Sequence, residues 1–313
     1  MTESPLAGKV YEAIPEFEDH LEKELGPGCE TWGPLFYAPV DNALPRAESF
    51  WNRNIWLDPQ KIEFGSIGEA AKALRDIQRN WASTLFTQFR RGALIAEKLP
   101  PVSSKPHGFP WLIPDSPMGA WTLLDAHTLI ASPDCSSPFP AGVVEFEEDK
   151  FNPPSRAYLK CWESLARLRR WPGKGERCLD AGASPGGWTW ALANLGADIV
   201  AVDRAALDPR VEAMPGVSFI KHDAFTLKPE EIGRIDWLFC DVICYPPRLF
   251  EWIEKWLASG LCRNFVCTIK MQGPGGTGSD PDFETTRRFA AIPGSAVVHL
   301  HHNKHELTWM KAE

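Results

Sequence analysis

Four charged residues in this chain stand where their chemistry could be used. Asp241 closes the apolar run WLFCD and Lys270 closes the apolar run FVCTIK. Lys160 ends SRAYLK, and Glu306 lies in HHNKHELTWM just before the last apolar run. Charges at the C-terminal ends of strands lie where open α/β sheets bind their ligands. A lysine held among carboxylates and a second lysine can align a hydroxyl, stabilise its oxygen as the proton leaves, or accept that proton. Burial and a neighbouring cation would lower its pKa. Each residue alone has an ordinary explanation: a solvated helix lysine, a strand-end cap, a loop flank, a surface charge. Their joint order along the chain carries the argument.

A second constellation lies between Lys160 and Asp241. In CLDAGASPGGWTW, Cys178 to Trp190, a strand-like stretch ends at Asp180. A turn follows through Gly182, Ala183, Ser184, Pro185, Gly186 and Gly187, and a helix-like run begins at Trp188. Strand, glycine turn and helix together present bare backbone N–H groups to a ligand. The spacing differs from G-x-G-x-x-G, so the dinucleotide fingerprint is absent. Asp203 ends ADIVAVD about twenty residues on, where an acidic residue bonds ribose hydroxyls in such folds. Arg204 follows it, and a helix cap before Arg204 is the weaker alternative for Asp203.

SRAYLK, ASPGGW, WLFCD, TIK and the late HEL resemble, in order and spacing, the motifs of FtsJ-like ribose 2′-O-methyltransferases. The likeness runs from about Ser136 to the C-terminus and is nearest to the bacterial branch acting on 23S ribosomal RNA cytidine. It implies S-adenosylmethionine as cofactor and RNA, ribosomal in particular, as partner. It implies a Lys160, Asp241, Lys270 and Glu306 tetrad. In it Lys270 accepts the proton or stabilises the 2′ oxygen, Asp241 and Glu306 hold the lysines, and Lys160 orients the ribose. The cofactor would be held by Asp180, the turn Gly182–Ala183–Ser184–Pro185–Gly186–Gly187, Trp188, Asp203, Arg204, Asp223, Ala224 and Asp241. No metal is implied. Met271–Ala296, after Lys270, is glycine-rich and short of basic residues, where the resembling enzymes carry a longer, more basic helix. Rival readings are a same-fold methyltransferase on transfer RNA or a small molecule, and an inactive cofactor- or RNA-binding module.

These residues need a frame. Strand-like runs at Arg177–Asp180, Asp198–Val202, Val217–Ile220, Trp237–Asp241, Asn264–Lys270, Ala296–His301 and Leu307–Met310 alternate with helical patterns. The helices are expected at Ser155–Arg169, Trp188–Leu195, Pro247–Ser259 and Asp282–Ala290. Such alternation predicts an α/β, doubly wound, mostly parallel sheet, here with an antiparallel end where two strands follow without a helix. It is the Rossmann-like architecture of the methyltransferases just named. The proline- and acid-rich stretch from Ser132 to Pro154 predicts a boundary, with domains 1–135 and 136–313. The first domain reads as α+β and ferredoxin-like, related to THUMP domains. Its expected elements are strands at Val10–Ile14, Ser83–Phe89, Gly92–Ala96 and Ala120–Ala131, and helices at Glu16–Leu25 and Ile67–Arg79. Lys98–Pro117 reads as an irregular loop.

Composition narrows the classes. With 313 residues and 44% hydrophobic content the chain can build two cores. No apolar run approaches a membrane span, and the start lacks a signal segment, so a cytoplasmic location is expected. The net charge of −8 disfavours a broad, salt-driven nucleic-acid binder. Local basic faces remain at Arg90, Arg91, Lys98 and Lys105, and at Arg167, Arg169, Arg170 and Lys174, with plain solvation the ordinary reading. The eight cysteines form no C-x-x-C pair and read as free thiols. CYPP at Cys244–Pro247 has the wrong order for the box of amino-group methyltransferases. No carboxylate-rich or cysteine partner set accompanies His299, His301, His302 and His305 in the sequence, so metal binding is the minor reading beside RNA contact or solvent exposure. Nothing in the sequence fixes the oligomeric state.

Overall fold

The computed structural model describes residues 2–103, 105–271 and 280–313. The chain forms two units, Met1–Pro106 with Pro114–Glu145, and His107–Ile113 with Phe146–Glu313. The division falls ten residues later than the sequence suggested. The stretch read as a linker is pinned to the first unit. The Ser136 N–H donates to the Ile55 carbonyl at 2.8 Å, and the Ser137 N–H donates to Asn54 Oδ1 at 3.0 Å. Residues 107–113 belong to the second unit because Phe109 stacks on Trp162 at 5.2 Å and His107 bridges Phe146.

The first unit contains, in order, β1 (Thr2–Pro5), β2 (Gly8–Ala13), α1 (Glu18–Leu25), β3 (Glu30–Trp32), β4 (Leu35–Pro39), β5 (Asn52–Trp56), β6 (Gln60–Glu63), α2 (Ile67–Ile77), β7 (Trp81–Ser83), α3 (Phe89–Ala96), β8 (Gly119–Leu123) and β9 (Thr128–Ser132). They form a five-stranded sheet, β1-β6-β9-β8-β7, and a four-stranded sheet, β3-β4-β2-β5. This α+β unit is not the single sheet of a ferredoxin-like domain. Gly92–Ala96, expected as a strand, is helical. Its Gly92 lets Leu85 pack against the helix, where a Cβ would lie 2.4 Å from a leucine methyl. Ser83–Phe89 leaves the strand after Ser83 and enters that helix instead. Ala120–Ala131 is a hairpin rather than one strand, because the Asp125 carboxylate accepts the His127 N–H at 2.7 Å and turns the chain. Helix α2 begins at the Ser66 N-cap, whose hydroxyl accepts the Glu69 N–H, while Glu69 accepts the Gly65 N–H at 2.8 Å. Its Ala70, Ala71, Ala73 and Leu74 face Ile62, Leu123 and Leu129 in the core.

The second unit contains α4 (Tyr158–Leu168), β10 (Arg177–Ala181), α5 (Gly187–Asn194), β11 (Asp198–Asp203), α6 (Pro209–Glu212), β12 (Val217–Lys221), α7 (Pro229–Ile232), β13 (Trp237–Cys240), α8 (Pro246–Ser259), β14 (Asn264–Lys270), α9 (Phe283–Ala290), β15 (Ser295–Val298) and β16 (Glu306–Lys311). Its seven-stranded sheet runs β12-β11-β10-β13-β14-β16-β15. The first five strands are parallel and β16 is antiparallel to both neighbours. This is the expected doubly wound sheet with its antiparallel end. Trp237, Phe239, Phe265 and Trp309 are buried within it. Strand β15 stops at Val298, short of the expected His301, because the His299 ring turns in and donates to the Lys304 carbonyl at 2.8 Å. Strand order reverses between β10 and β13, so the crevice of the fold opens at their C-terminal ends. Among the described residues, no helix is long and apolar enough to cross a membrane.

Candidate active site

The four charges that sequence spacing singled out meet at that crevice. Asp241 follows β13, Lys270 ends β14, and Glu306 opens β16 directly opposite Lys270 in the ladder. Lys160 comes from α4, where Tyr158, Leu159 and Cys161 pack inward around it. The Lys160 ammonium lies 2.7 Å from Asp241 Oδ2 and 3.2 Å from Glu306 Oε1. The Lys270 ammonium lies 2.7 Å from Asp241 Oδ1 and 3.5 Å from Glu306 Oε2. Charges therefore alternate round a closed square, with every lysine between two carboxylates. The four side chains are between 9% and 16% exposed, sheltered from solvent yet open on one side.

This arrangement decides the resting protonation. Burial works against both carboxylates, but Lys270 and Lys160 outweigh it and hold Asp241 and Glu306 below the usual carboxylate range. Burial also pulls the Lys270 ammonium down, yet Asp241 and Glu306 outweigh it and the net direction is up. The sequence led us to expect a lowered lysine. The facing carboxylates reverse the sign, because each opposite charge sits within 3.5 Å of the Lys270 ammonium.

The glycine turn lies beside this square. Gly182 has φ +79°, and a Cβ there would lie 2.5 Å from a Val242 methyl just beyond Asp241. Gly186, at φ +117°, caps α5. The tight approach at Gly182 is thus made by the protein's own segment just past β13, and the turn draws the ends of β10 and β13 together. Asp203 fixes the turn from β11: one oxygen accepts the Ser184 N–H at 3.0 Å, the other the Ala205 N–H at 2.8 Å. The Ser184–Pro185 bond is cis. Ala183 is buried. Trp188 is buried too, and its indole N–H donates to the Ala157 carbonyl at 2.7 Å, so it ties α5 to the lead-in of α4. Asp223 accepts the Phe225 N–H at 3.0 Å, with Ala224 buried beside it. Arg204 and Arg248 stand 3.7 and 3.6 Å from the second Asp223 oxygen.

Asp180 carries the turn's orphan. It is buried, and Thr189 donates to Oδ2 at 2.6 Å, while Oδ1 has no hydrogen-bond partner among the described residues. Burial pushes its pKa up to about 7 from an ordinary 3.8. The folded state therefore binds this proton more tightly than the unfolded chain. The associated cost is absent below about pH 4, grows with pH, and is complete above about pH 7. Asp180→Asn, which cannot ionise, is expected to melt several degrees above the wild type at about pH 8 and to lose most of that margin at about pH 5. Thermal melts at the two pH values check this; a margin independent of pH would refute the shift.

Sequence reasoning overlooked Glu163, one turn beyond Lys160. It is fully buried, and it binds Arg167, the His302 ring and two backbone N–H groups. An i, i+4 pair with Arg167 was visible in the sequence; the distant partners were not. The histidine cluster is structural in part, since His299 is buried and pushed down to about 4 by that burial. All eight cysteines are free, six of them buried. Among the basic residues, Arg167 belongs to Glu163, and Arg170 pairs with Glu176 and lies 5.4 Å above Trp237. Arg91 lies 5.5 Å above Phe64. Gln272–Ser279 lie outside the described residues.

Residues 153–290 match the family model described as FtsJ-like methyltransferase. Three curated relatives bear the name ribosomal RNA large subunit methyltransferase M. The protein of Azoarcus sp. strain BH72 is 34% identical over 144 residues, 44% of this chain and 39% of its own. That of Thauera aminoaromatica is 31% identical over 186 residues, 56% of this chain and 50% of its own. That of Xanthomonas oryzae pv. oryzae strain PXO99A is 30% identical over 214 residues, 65% of this chain and 56% of its own. The chain spans about half the length of these relatives. The second unit, with its parallel sheet and switch point, is similar over residues 153–290 to the FtsJ-like methyltransferase family.

Proposed function

We propose that the chain is an S-adenosylmethionine-dependent ribose 2′-O-methyltransferase whose acceptor is ribosomal RNA. The observation that carries this is the closed square of Lys160, Asp241, Lys270 and Glu306 beside the glycine turn. The relatives' shared name supports ribosomal RNA as acceptor over transfer RNA or a small molecule. The N-terminal α+β unit, with exposed Arg90 and Lys98, is read as an accessory RNA-binding element.

The residues at the crevice suit the cofactor. Asp180 Oδ1 is a buried acceptor awaiting a donor, and Asp203 keeps lone pairs free beyond its two backbone bonds, available to ribose hydroxyls. Ala224 and Asp223 would border the adenine. When bound, S-adenosylmethionine supplies a methyl group on a sulfonium, already a good leaving system. The protein must then align the acceptor oxygen and manage its proton. Lys270, protonated at rest, would donate a hydrogen bond to that oxygen and stabilise its charge as the O–H bond breaks and the proton passes to solvent at the open side of the square. Lys160 orients the ribose from the other side. Asp241 and Glu306 hold both ammonium groups in place, so little reorganisation accompanies the charge change.

Labelled methyl from S-adenosylmethionine should appear on ribosomal RNA incubated with the enzyme, and nucleoside mass spectrometry should find it on a 2′ oxygen. Base methylation, or transfer only to transfer RNA or small molecules, would overturn the reading. Asp203→Ala is expected to weaken cofactor binding more than tenfold, through lost ribose contacts and a loosened turn, from a micromolar-scale ~8 kcal/mol. Calorimetry with unchanged affinity would remove Asp203 from the cofactor site.

A further inference from the structure

Glu163 is the most heavily engaged carboxylate in this unit, and the proposed chemistry leaves it without a task. One oxygen accepts the His301 N–H at 3.0 Å and the Arg167 guanidinium at 2.9 and 3.0 Å. The other accepts the His302 N–H at 3.1 Å and the His302 Nδ1–H at 2.8 Å. Two successive backbone N–H groups aimed at one anion form a nest. Burial opposes the charge, but Arg167, His302 and the His301 N–H outweigh it and hold the Glu163 pKa down to about 2.

The anchor has a particular address. Lys160 precedes Glu163 by three residues on α4, about one helical turn. Glu306 follows His302 by four residues, and the Lys160 and Glu306 side chains meet at 3.2 Å. Both arms of that ion pair therefore spring from one buried carboxylate. Pairing of Lys270 with Glu306 in the ladder fixes β16 against β14, but it says nothing about where α4 lies. The Glu163 contacts supply that second constraint.

We propose that Glu163 is a positioning residue that sets the Lys160 ammonium against Glu306, and through that pair the alternating charge square, without itself touching the acceptor. The catalytic consequence rests on the methyltransferase reading above; the geometric one does not.

Glu163→Gln, Glu306→Gln and the double variant of the full chain test this, with melting curves to establish folding. The first readout needs no activity. Acetylation of the Lys160 amine by acetic anhydride, followed by peptide mass spectrometry, should be at least about threefold faster in Glu163→Gln, with exposed Lys72 unchanged as reference. The second is single-turnover transfer to an unmodified transcript of large-subunit ribosomal RNA. It should slow about tenfold or more, with cofactor KM within about twofold. In the Glu306→Gln background the same change should add less than about twofold, because it acts through Glu306. Glu163→Asp should recover part of the loss. Should Glu163→Gln fail to fold, His302→Ala removes only the ring contact and should move both readouts the same way by less. Unchanged Lys160 labelling, or rate losses that simply multiply, would overturn the proposal. Absence of methyl transfer by the wild type would refute the RNA reading, while labelling would still decide Glu163.

Discussion

Lys270→Ala is expected to slow methyl transfer to RNA by about a thousandfold or more, while cofactor affinity stays within about threefold. The reason lies in where the charge is used. Lys270 ends β14 facing Asp241 and Glu306, and its ammonium would meet the acceptor oxygen, whose charge changes only as the reaction proceeds. An interaction that strengthens in the transition state appears in kcat, and hardly in cofactor binding. Lys270→Arg is not expected to rescue. The planar guanidinium cannot sit between two carboxylates 2.7 and 3.5 Å from a single nitrogen as the ammonium does. Combining Lys270→Ala with Glu306→Ala should add little to the worse single loss, because the four charges act as one unit. Single-turnover rates with labelled cofactor, set beside calorimetry, decide the matter. Near wild-type turnover in Lys270→Ala would remove Lys270 from the chemistry.

Legibility in the sequence followed the cost of each feature. A charge at the end of a buried strand is expensive unless it is used, and so WLFCD and TIK stood out before any geometry was known. The structure brings these residues together with Lys160 and Glu306 within ion-pair distance. Alternation of apolar strands with helices placed the sheet to within a few residues, since central strands buried on both faces leave near-continuous apolar runs. What stayed hidden was non-local. Glu163 and Arg167 read as an ordinary helical pair, while the partner His302 lies 139 residues away. The sign of the Lys270 shift depended on distances to two carboxylates that no spacing encodes. In the N-terminal unit the strands are three to six residues long, too short for periodicity to separate strand from helix. Gly92–Ala96 went wrong for that reason, and the two-sheet arrangement depends on pairings across the unit.

Asp241→Ala is expected to damage both function and fold, and it separates the two roles of the square. Asp241 touches both ammonium groups at 2.7 Å, whereas Glu306 reaches them at 3.2 and 3.5 Å. Its removal leaves two sheltered cations sharing one carboxylate. Breaking a buried pair from one side costs on the order of 3 kcal/mol, because the remaining charge has lost its partner but is still out of water. The lysines should respond by giving up protons more readily, so the Lys270 pKa falls from its raised value. The pH dependence follows from the depressed Asp241 pKa. Its stabilising contribution is present above the ordinary carboxylate range and disappears as pH falls through the lower folded value. Urea unfolding of wild type and Asp241→Ala should therefore differ by about 3 kcal/mol near pH 7 and converge on strong acidification. Asp241→Asn keeps the shape without the charge and should lie close to the alanine variant. If Asp241→Ala unfolds within about 0.5 kcal/mol of the wild type at neutral pH, the square contributes nothing to stability. Its alternating charges would then serve the acceptor hydroxyl alone, and the gap between lost activity and unchanged stability would measure how far the site is organised for a transition state.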